Sequence, residues 1–493
     1  MLQTVNISLQ YGKRVLFKEV NLKFNAGECY GIIGANGAGK STFLKILSGE
    51  ITANKGEVIV GKNERISTLA QDQNAFNEMS AVNAVISGHK RIAEINKMLE
   101  TETDGDKLAV LYEEYGELDG WNADTDARKI LSGLGIDDGF HDKIMGELDA
   151  KIKVKVLLAR TLFGNPDILI LDEPTNNLDL HGTHWLEDFL LDFKNTVIIV
   201  SHNRHFLNKV CTRICDVDFG QINMFIGNYD FWYETSQLLL RQQKDANKKA
   251  EARADELKEF IARFSANASK SRQATSRKKE LEKLTIEDIK PSSRKYPYIN
   301  FEIEREVGNE ILAVNYKHIN FRLNKGDKVA IMCQNSKLVD ELFNAIANNE
   351  SGVEIGKTIK LSYLPQNYDN YFNGVKLNLL DWLKQYSKDT NETFIRGWLG
   401  RMLFSGEEAL KTAEVLSGGE KVRCMLAKTM LNQGNLLIMN EPTNHLDLES
   451  ITALNEGMKR YKGVMLFYTS DEQIIETVAN RTFYITEDTF VMS

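Results

Sequence analysis

The chain reads as an α/β protein: two tandem phosphate-loop domains joined by a two-helix linker, with a helical arm inserted in the first domain. Three observations predict this. The glycine-rich stretch Gly34-Ala-Asn-Gly-Ala-Gly-Lys-Ser-Thr42 lies between an apolar, strand-like run and a segment with helical spacing. A second apolar run, Ile168-Leu-Ile-Leu171, ends in the acids Asp172 and Glu173. Segments around both recur once, at offsets of 299, 295 and 268 residues (Val20 on Ile319, Gln71 on Gln366, Glu173 on Glu441). The predicted domains are 1–234, with the arm at about 83–130, a basic helical linker 235–297, and a second, degenerate copy 298–493.

Composition bounds the class. With 493 residues and 42% apolar content there is room for two to four ordinary cores. No run approaches the ~18 apolar residues of a membrane span, and Leu2 to Leu9 is too short and polar for a signal peptide. A membrane partner is therefore not expected. The five cysteines are scattered. Cys211 and Cys215 lack a second pair, so they read as buried thiols rather than a metal site, which suits a reducing cytoplasm. The net charge of −8 does not suggest a polyanion partner, but an average can hide a local patch.

Near the start, Val5–Gly12 and Val20–Phe24 alternate as half-buried strands. Tyr11, about two strands before the phosphate loop, is either a core residue or a face for the base of a nucleotide. In the loop itself, glycines let the backbone turn so that successive N–H groups point inward, and the helix beginning near Lys40 adds its positive end. Gly34, Asn36, Gly37, Ala38, Gly39, Lys40, Ser41 and Thr42 are the candidate contacts to a nucleoside triphosphate. Lys40 is placed to reach the β- and γ-phosphates, and the Ser41 hydroxyl to bind Mg²⁺. Two amphipathic stretches, Ile92–Leu99 and Leu108–Tyr115, flank Thr103-Asp-Gly-Asp106 and predict a helical hairpin.

Open α/β sheets place active sites at the carboxyl ends of their strands, where Asp172 and Glu173 fall. Asp172 suits a water-mediated hold on Mg²⁺, and Glu173 the role of general base toward the attacking water. A further strand, Thr196–Val200, runs into Ser201-His202, and His202 is a candidate γ-phosphate contact.

The phosphate loop, Gln71, the acidic strand and the strand ending at His202 resemble the ATPase domain of the ABC superfamily. That resemblance implies ATP with Mg²⁺, gives Gln71 a place among the catalytic and metal contacts, and implies head-to-tail pairing. Each ATP would lie between one copy's phosphate loop and the other's Leu-Ser-Gly-Gly-Glu signature. In the second copy Lys40 is matched by Val339, Ser41 by Asp340, Asp172 by Asn440 and His202 by Ser470. Valine for lysine, followed by two acids, Asp340 and Glu341, replaces attraction for phosphate by repulsion. The signatures decay the other way. Leu416-Ser-Gly-Gly-Glu420 is intact, making Ser417, Gly418, Gly419 and Glu420 candidate nucleotide contacts, whereas the first copy reads Leu148-Asp-Ala-Lys-Ile152. The expectation is one whole composite site and one lost on both sides.

Arg241 to Lys295 carries 16 basic and 9 acidic residues, a net of +7. Within it, Arg263, Lys270, Arg272, Arg277, Lys278 and Lys279 fall in a seventeen-residue stretch without an acid, which points to an RNA backbone. The whole layout resembles the ABC-F group, and Phe231-Trp-Tyr-Glu234, Ala262–Lys270, Phe394–Glu408 and Asn444–Ser450 resemble its YbiT-like branch. The resemblance implies ribosome binding near the tRNA exit site, with rRNA and P-site tRNA as partners, a cytoplasmic monomer with intramolecular domain pairing, and ATP closing the two domains. Three alternatives stay open: an ATP-binding pseudo-enzyme that engages RNA without turnover, an antibiotic-protection factor, and the ATPase subunit of a transporter.

Overall fold

Apolar runs bounded by turn residues form the strands of two similar units. The computed structural model describes residues 1–12, 14–69, 72, 74–176, 178–264, 276–279, 281, 294–333, 335–486 and 489–492. Gln71, Lys270 and Arg272 fall outside the described residues, as does the side chain of Arg263.

The first unit contains β1 (Leu2–Tyr11), β2 (Arg14–Phe24), β3 (Cys29–Gly34), β4 (Lys55–Val60), β5 (Ile66–Thr68), β6 (Ile168–Asp172), β7 (Thr196–Val200), β8 (Arg213–Asp218) and β9 (Gln221–Ile226). β2-β1-β4 form a small antiparallel sheet, and β5-β6-β7-β3-β8-β9 a larger one, parallel except for β9. The continuous apolar runs of β3 and β7 are buried at every position because both faces of the sheet are covered, one by the helical lobe and the other by helix Lys40–Leu47 and the small antiparallel sheet.

The second unit repeats this plan with β10 (Leu312–Tyr316), β11 (Ile319–Leu323), β12 (Lys328–Cys333), β13 (Val353–Ile355), β14 (Leu361–Leu364), β15 (Leu436–Asn440), β16 (Val464–Tyr468), β17 (Arg481–Ile485) and β18 (Phe490–Met492). Its sheets run β11-β10-β13 and β14-β15-β16-β12-β17-β18, matching the first unit strand for strand.

The helical lobes match too. Helix Ala81–Ile86, capped by Ser80, corresponds to Leu379–Lys384, capped by Asn378. Both caps make an isolated bridge, to Ile144 and Thr412 respectively. Helix Ala123–Gly133 corresponds to Glu392–Arg401. Helices Lys90–Thr101 and Gly105–Glu117 are left without a counterpart, so the unmatched segment is narrower than 83–130. Arg91 clamps that hairpin through both oxygens of Glu114.

Helix Tyr229–Phe264, of 36 residues, leaves the first unit and at ~1.5 Å per residue is roughly 54 Å long. The units touch directly. Leu448 of the second, 3% exposed, lies in the first unit's hydrophobic core cluster. His205 reaches Glu472 at 3.2 Å, and His184 bonds the same carboxylate. Among the described residues no helix is long and apolar enough to cross a membrane.

Candidate nucleotide site

β3 delivers the chain into the phosphate loop at Gly34, where a Cβ would lie 2.6 Å from the Val217 carbonyl oxygen of β8. Gly37 and Gly39 take positive φ of 75° and 101°, open to glycine at no steric cost. Helix Lys40–Leu47 then begins at Gly39. Asn36, Gly37 and Ser41 are exposed, Ala38 and Thr42 half-buried, and Lys40 is 8% exposed. The Lys40 ammonium donates back into its own loop, to the carbonyls of Gly34 at 2.7 Å and Ala35 at 3.4 Å.

β6 and β7 are neighbours in register, with Asp172 beside Val200, so their ends bring Asp172, Glu173 and His202 together. Glu173 adopts a left-handed φ of 51° and donates its N–H to Val200 at 2.8 Å. Its Oε2 accepts the backbone N–H of His202 at 3.2 Å, while Oε1 lies 3.4 Å from His202 Nε2 and makes no hydrogen bond. His202 Nδ1 is also buried without a partner. Burial, reinforced by the Asp172 charge, pushes the Glu173 carboxyl up to about 8. Burial and the Lys40 charge push the His202 imidazole down to about 4. At neutral pH both are uncharged. A buried lysine, a serine and an acid beside it, two orphaned polar atoms and a cradle that admits only glycine together fit a triphosphate with its divalent cation.

The second unit contributes two acids that a reading of the sequence did not place here. The carboxylates of Glu449, Asp447 and Asp172 act on Lys40, as Glu173 does once ionised, and burial holds the Lys40 ammonium below the ordinary lysine value. Asp447 also acts on His202. Besides lying in the Asn444–Ser450 segment, Asp447 carries one sequence signal, repetition, since it matches Asp179 at offset 268, and both cap the helix that follows.

Ser417 caps helix Gly418–Asn432 in a reciprocal capping box with Glu420, and its hydroxyl also donates to Glu420 Oε2 at 3.0 Å. That hydroxyl is thus spent within its own helix start. A Cβ on Gly419 would lie 2.6 Å from the His445 carbonyl oxygen. Tyr11 is 55% exposed at the end of β1, which excludes the core alternative. Arg277, Lys278 and Lys279 are exposed and helical.

In the second unit the pair corresponding to Ser41 and Asp172 has closed on itself, with Asn440 Nδ2 donating to Asp340 Oδ1 at 3.1 Å. Val339 is fully buried. Glu441 repeats the left-handed conformation of Glu173, with φ 47°, and accepts from the N–H and hydroxyl of Ser470.

Two units of this topology, each turning from a central strand through Glu-Pro-Thr-Asn, define a tandem ATP-binding cassette fold. The family model described as ABC transporter matches residues 17–176 and 316–444, and a second model of the same description matches 215–301. The chain is 52% identical over 515 residues to the uncharacterized ABC transporter ATP-binding protein YkpA of Bacillus subtilis (strain 168), covering 100% of this chain and 95% of that one. It is 40% identical over 513 residues to the probable ATP-binding protein YbiT of Escherichia coli O157:H7, covering 99% and 96%. It superposes with TM-score 0.60 at 16% identity on a chain from the complex of archaeal ribosomal stalk protein aP1 and archaeal ribosome recycling factor aABCE1, covering 97% of this chain and 87% of that one, which shows the shared fold. The chain belongs to the ABC ATP-binding family, as an ABC-F protein of the YbiT-like branch. It is an ATP-binding protein, and ATPase capacity is general to such cassettes.

Proposed function

We propose that the protein is a ribosome-associated translation factor of single-site, asymmetric ATPase activity, binding near the tRNA exit site with its linker toward rRNA and P-site tRNA. One observation carries the asymmetry. The first cassette's Lys40 lies within electrostatic reach of acids of the second, Asp447 and Glu449, while the residues of the second cassette matching Lys40 and Ser41 are a buried Val339 and an Asp340 paired with Asn440.

In this reading Lys40 and the loop amides bind the phosphates, and Ser41 and Asp172, with Gln71, hold Mg²⁺. The ion would supply charge neutralisation to the phosphates. Ser417, Gly418, Gly419 and Glu420 close the site from the second cassette, and Tyr11 covers the base. Glu173 accepts the proton of the attacking water, and His202 contacts the γ-phosphate. A Glu173 carboxyl with pKa about 8 carries its own proton at pH 7 and must release it before it can act as a base. Turnover therefore rises as pH climbs toward 8.

The ribosomal part of the reading is supported by the acid-free basic stretch of the linker and by membership of the ABC-F group. Co-sedimentation with ribosomes in the presence of ATP tests it. Glu173→Gln should be trapped on ribosomes while the parent is released. Equal binding of the two, or none by either, would remove hydrolysis-controlled release and bring the pseudo-enzyme reading forward.

A further inference from the structure

One guanidinium joins four elements at the base of the linker. Arg294, on the chain returning from the linker, is only 10% exposed at its side chain. Its Nη2 and Nη1 donate to Asp216 Oδ1 and Oδ2 at 2.6 and 3.2 Å, and its Nε approaches Glu449 Oε1 at 2.8 Å. Its Cζ lies 4.6 Å from the Trp232 ring centroid, and Trp232 Nε1 donates to Asp216 at 3.2 Å.

Each partner leads somewhere different. Trp232 sits on the helix that runs out into the linker. Asp216 is on β8, in register with Ile33 of β3, one residue before the phosphate loop opens at Gly34. Glu449 belongs to the second cassette, two residues after Asp447, and its charge acts on Lys40. Asp216 and Glu449 are 14% and 6% exposed, and burial raises both carboxyls while Arg294 draws them back. A planar, permanently charged fork can satisfy both acids at once, which a lysine cannot.

We propose that Arg294 is a positioning residue for ATP hydrolysis, tying both strands of the linker to the phosphate-loop sheet and to Glu449 of the opposing cassette, so that displacement of the linker is transmitted to the setting of Lys40. This rests on the hydrolytic reading of the site. When the linker is drawn away, Arg294 leaves Glu449, and the abandoned buried carboxylate takes up a proton, which removes its charge from the Lys40 environment.

The test uses full-length protein: Arg294→Met, Arg294→Lys, Glu449→Gln and the double variant Arg294→Met/Glu449→Gln, with kcat from ATP turnover and affinity from mant-ATP fluorescence. Arg294→Met should lower kcat about tenfold or more and change affinity less than about threefold. Arg294→Lys should fall between it and the parent. Glu449→Gln should cost several-fold alone but less than about twofold on top of Arg294→Met, as for two members of one unit. Turnover within about twofold of the parent, or kcat and affinity falling together, overturns the proposal. If Arg294→Met does not fold, Arg294→Lys decides, and parental turnover in that variant overturns it. A parent without Glu173-dependent turnover sinks the hydrolytic reading and this inference together, whereas an active parent with indifferent variants sinks this inference alone.

Discussion

Replacing Glu173 by glutamine should stabilise the nucleotide-free protein, and by an amount that depends on pH. Burial raises the Glu173 carboxyl from 4.5 to about 8, so the folded chain holds a proton there that the unfolded chain has released. A raised acid costs no stability below pH 4.5. The cost grows as pH rises, because the unfolded state gains from ionisation that the folded state resists, and it is complete above about 8. Linkage between those values gives about 3 kcal/mol at pH 7 and under about 1 kcal/mol at pH 5. The side chain keeps 22% of its exposure, and solvent reduces the pH 7 figure to about 2 kcal/mol. Glutamine keeps the acceptor for the His202 N–H and has no proton to lose. For a domain of this size the gain corresponds to a Tm rise of roughly 4–8 °C at pH 7. Calorimetric scans of parent and variant at pH 5, 6, 7 and 8 measure it. A Tm difference that is constant across this range, or a variant less stable than the parent at pH 8, would show that Glu173 is not held neutral and would refute the account of the site.

Equilibrium titration should find one tight ATP per chain, removed by Lys40→Ala and unaffected by Val339→Lys, whereas two sites of similar affinity would contradict the asymmetric reading. Tyr11→Ala should weaken ATP binding about fivefold through lost stacking and leave Tm within about a degree, since the ring is 55% exposed. In Gly419→Ala the new methyl meets the His445 carbonyl at 2.6 Å, so the signature helix must shift. About 1–3 kcal/mol of stability and ATP-dependent closure, followed by small-angle scattering, should both be lost. Replacing Arg277, Lys278 and Lys279 together by alanine should weaken ribosome binding and flatten its log–log salt dependence by about 2 units. An unchanged slope would exclude these three residues from the phosphate contacts.

The first cassette's site was legible because its chemistry is local to strand ends. Lys40, Asp172, Glu173 and His202 end or follow β3, β6 and β7, which are neighbours in the parallel sheet, so linear motifs converge by topology alone. In the sequence Asp447 and Glu449 stand out only as parts of a family-like segment. Their approach to Lys40 depends on how the two cassettes meet, which no spacing within one copy encodes. Arg294 was counted only as one charge among sixteen bases of the linker, because its partners lie 78 and 155 positions away. The hairpin was visible in its helical spacing, but its limits came from the equivalence of Ala123–Gly133 with Glu392–Arg401. Ser417 illustrates a different limit, since a motif names the residue but not whether its hydroxyl is already occupied within its own helix cap.

The hydrogen bond between Asn440 and Asp340 makes the second cassette's departure from the first a ratchet. Restoring aspartate at 440 alone would set a second carboxylate against Asp340, with 440 fully buried. Restoring serine at 340 alone would strip the Asn440 amide of its acceptor while its Oδ1 already has no donor, a penalty of about 1–3 kcal/mol. A lysine at 339 would push its ammonium into a fully buried position. Each of these three single changes lowers stability before it can supply a ligand, so converting the second cassette toward the first must cross several changes at once, and the difference between the two is held in place by epistasis as well as by the absence of a phosphate-binding charge.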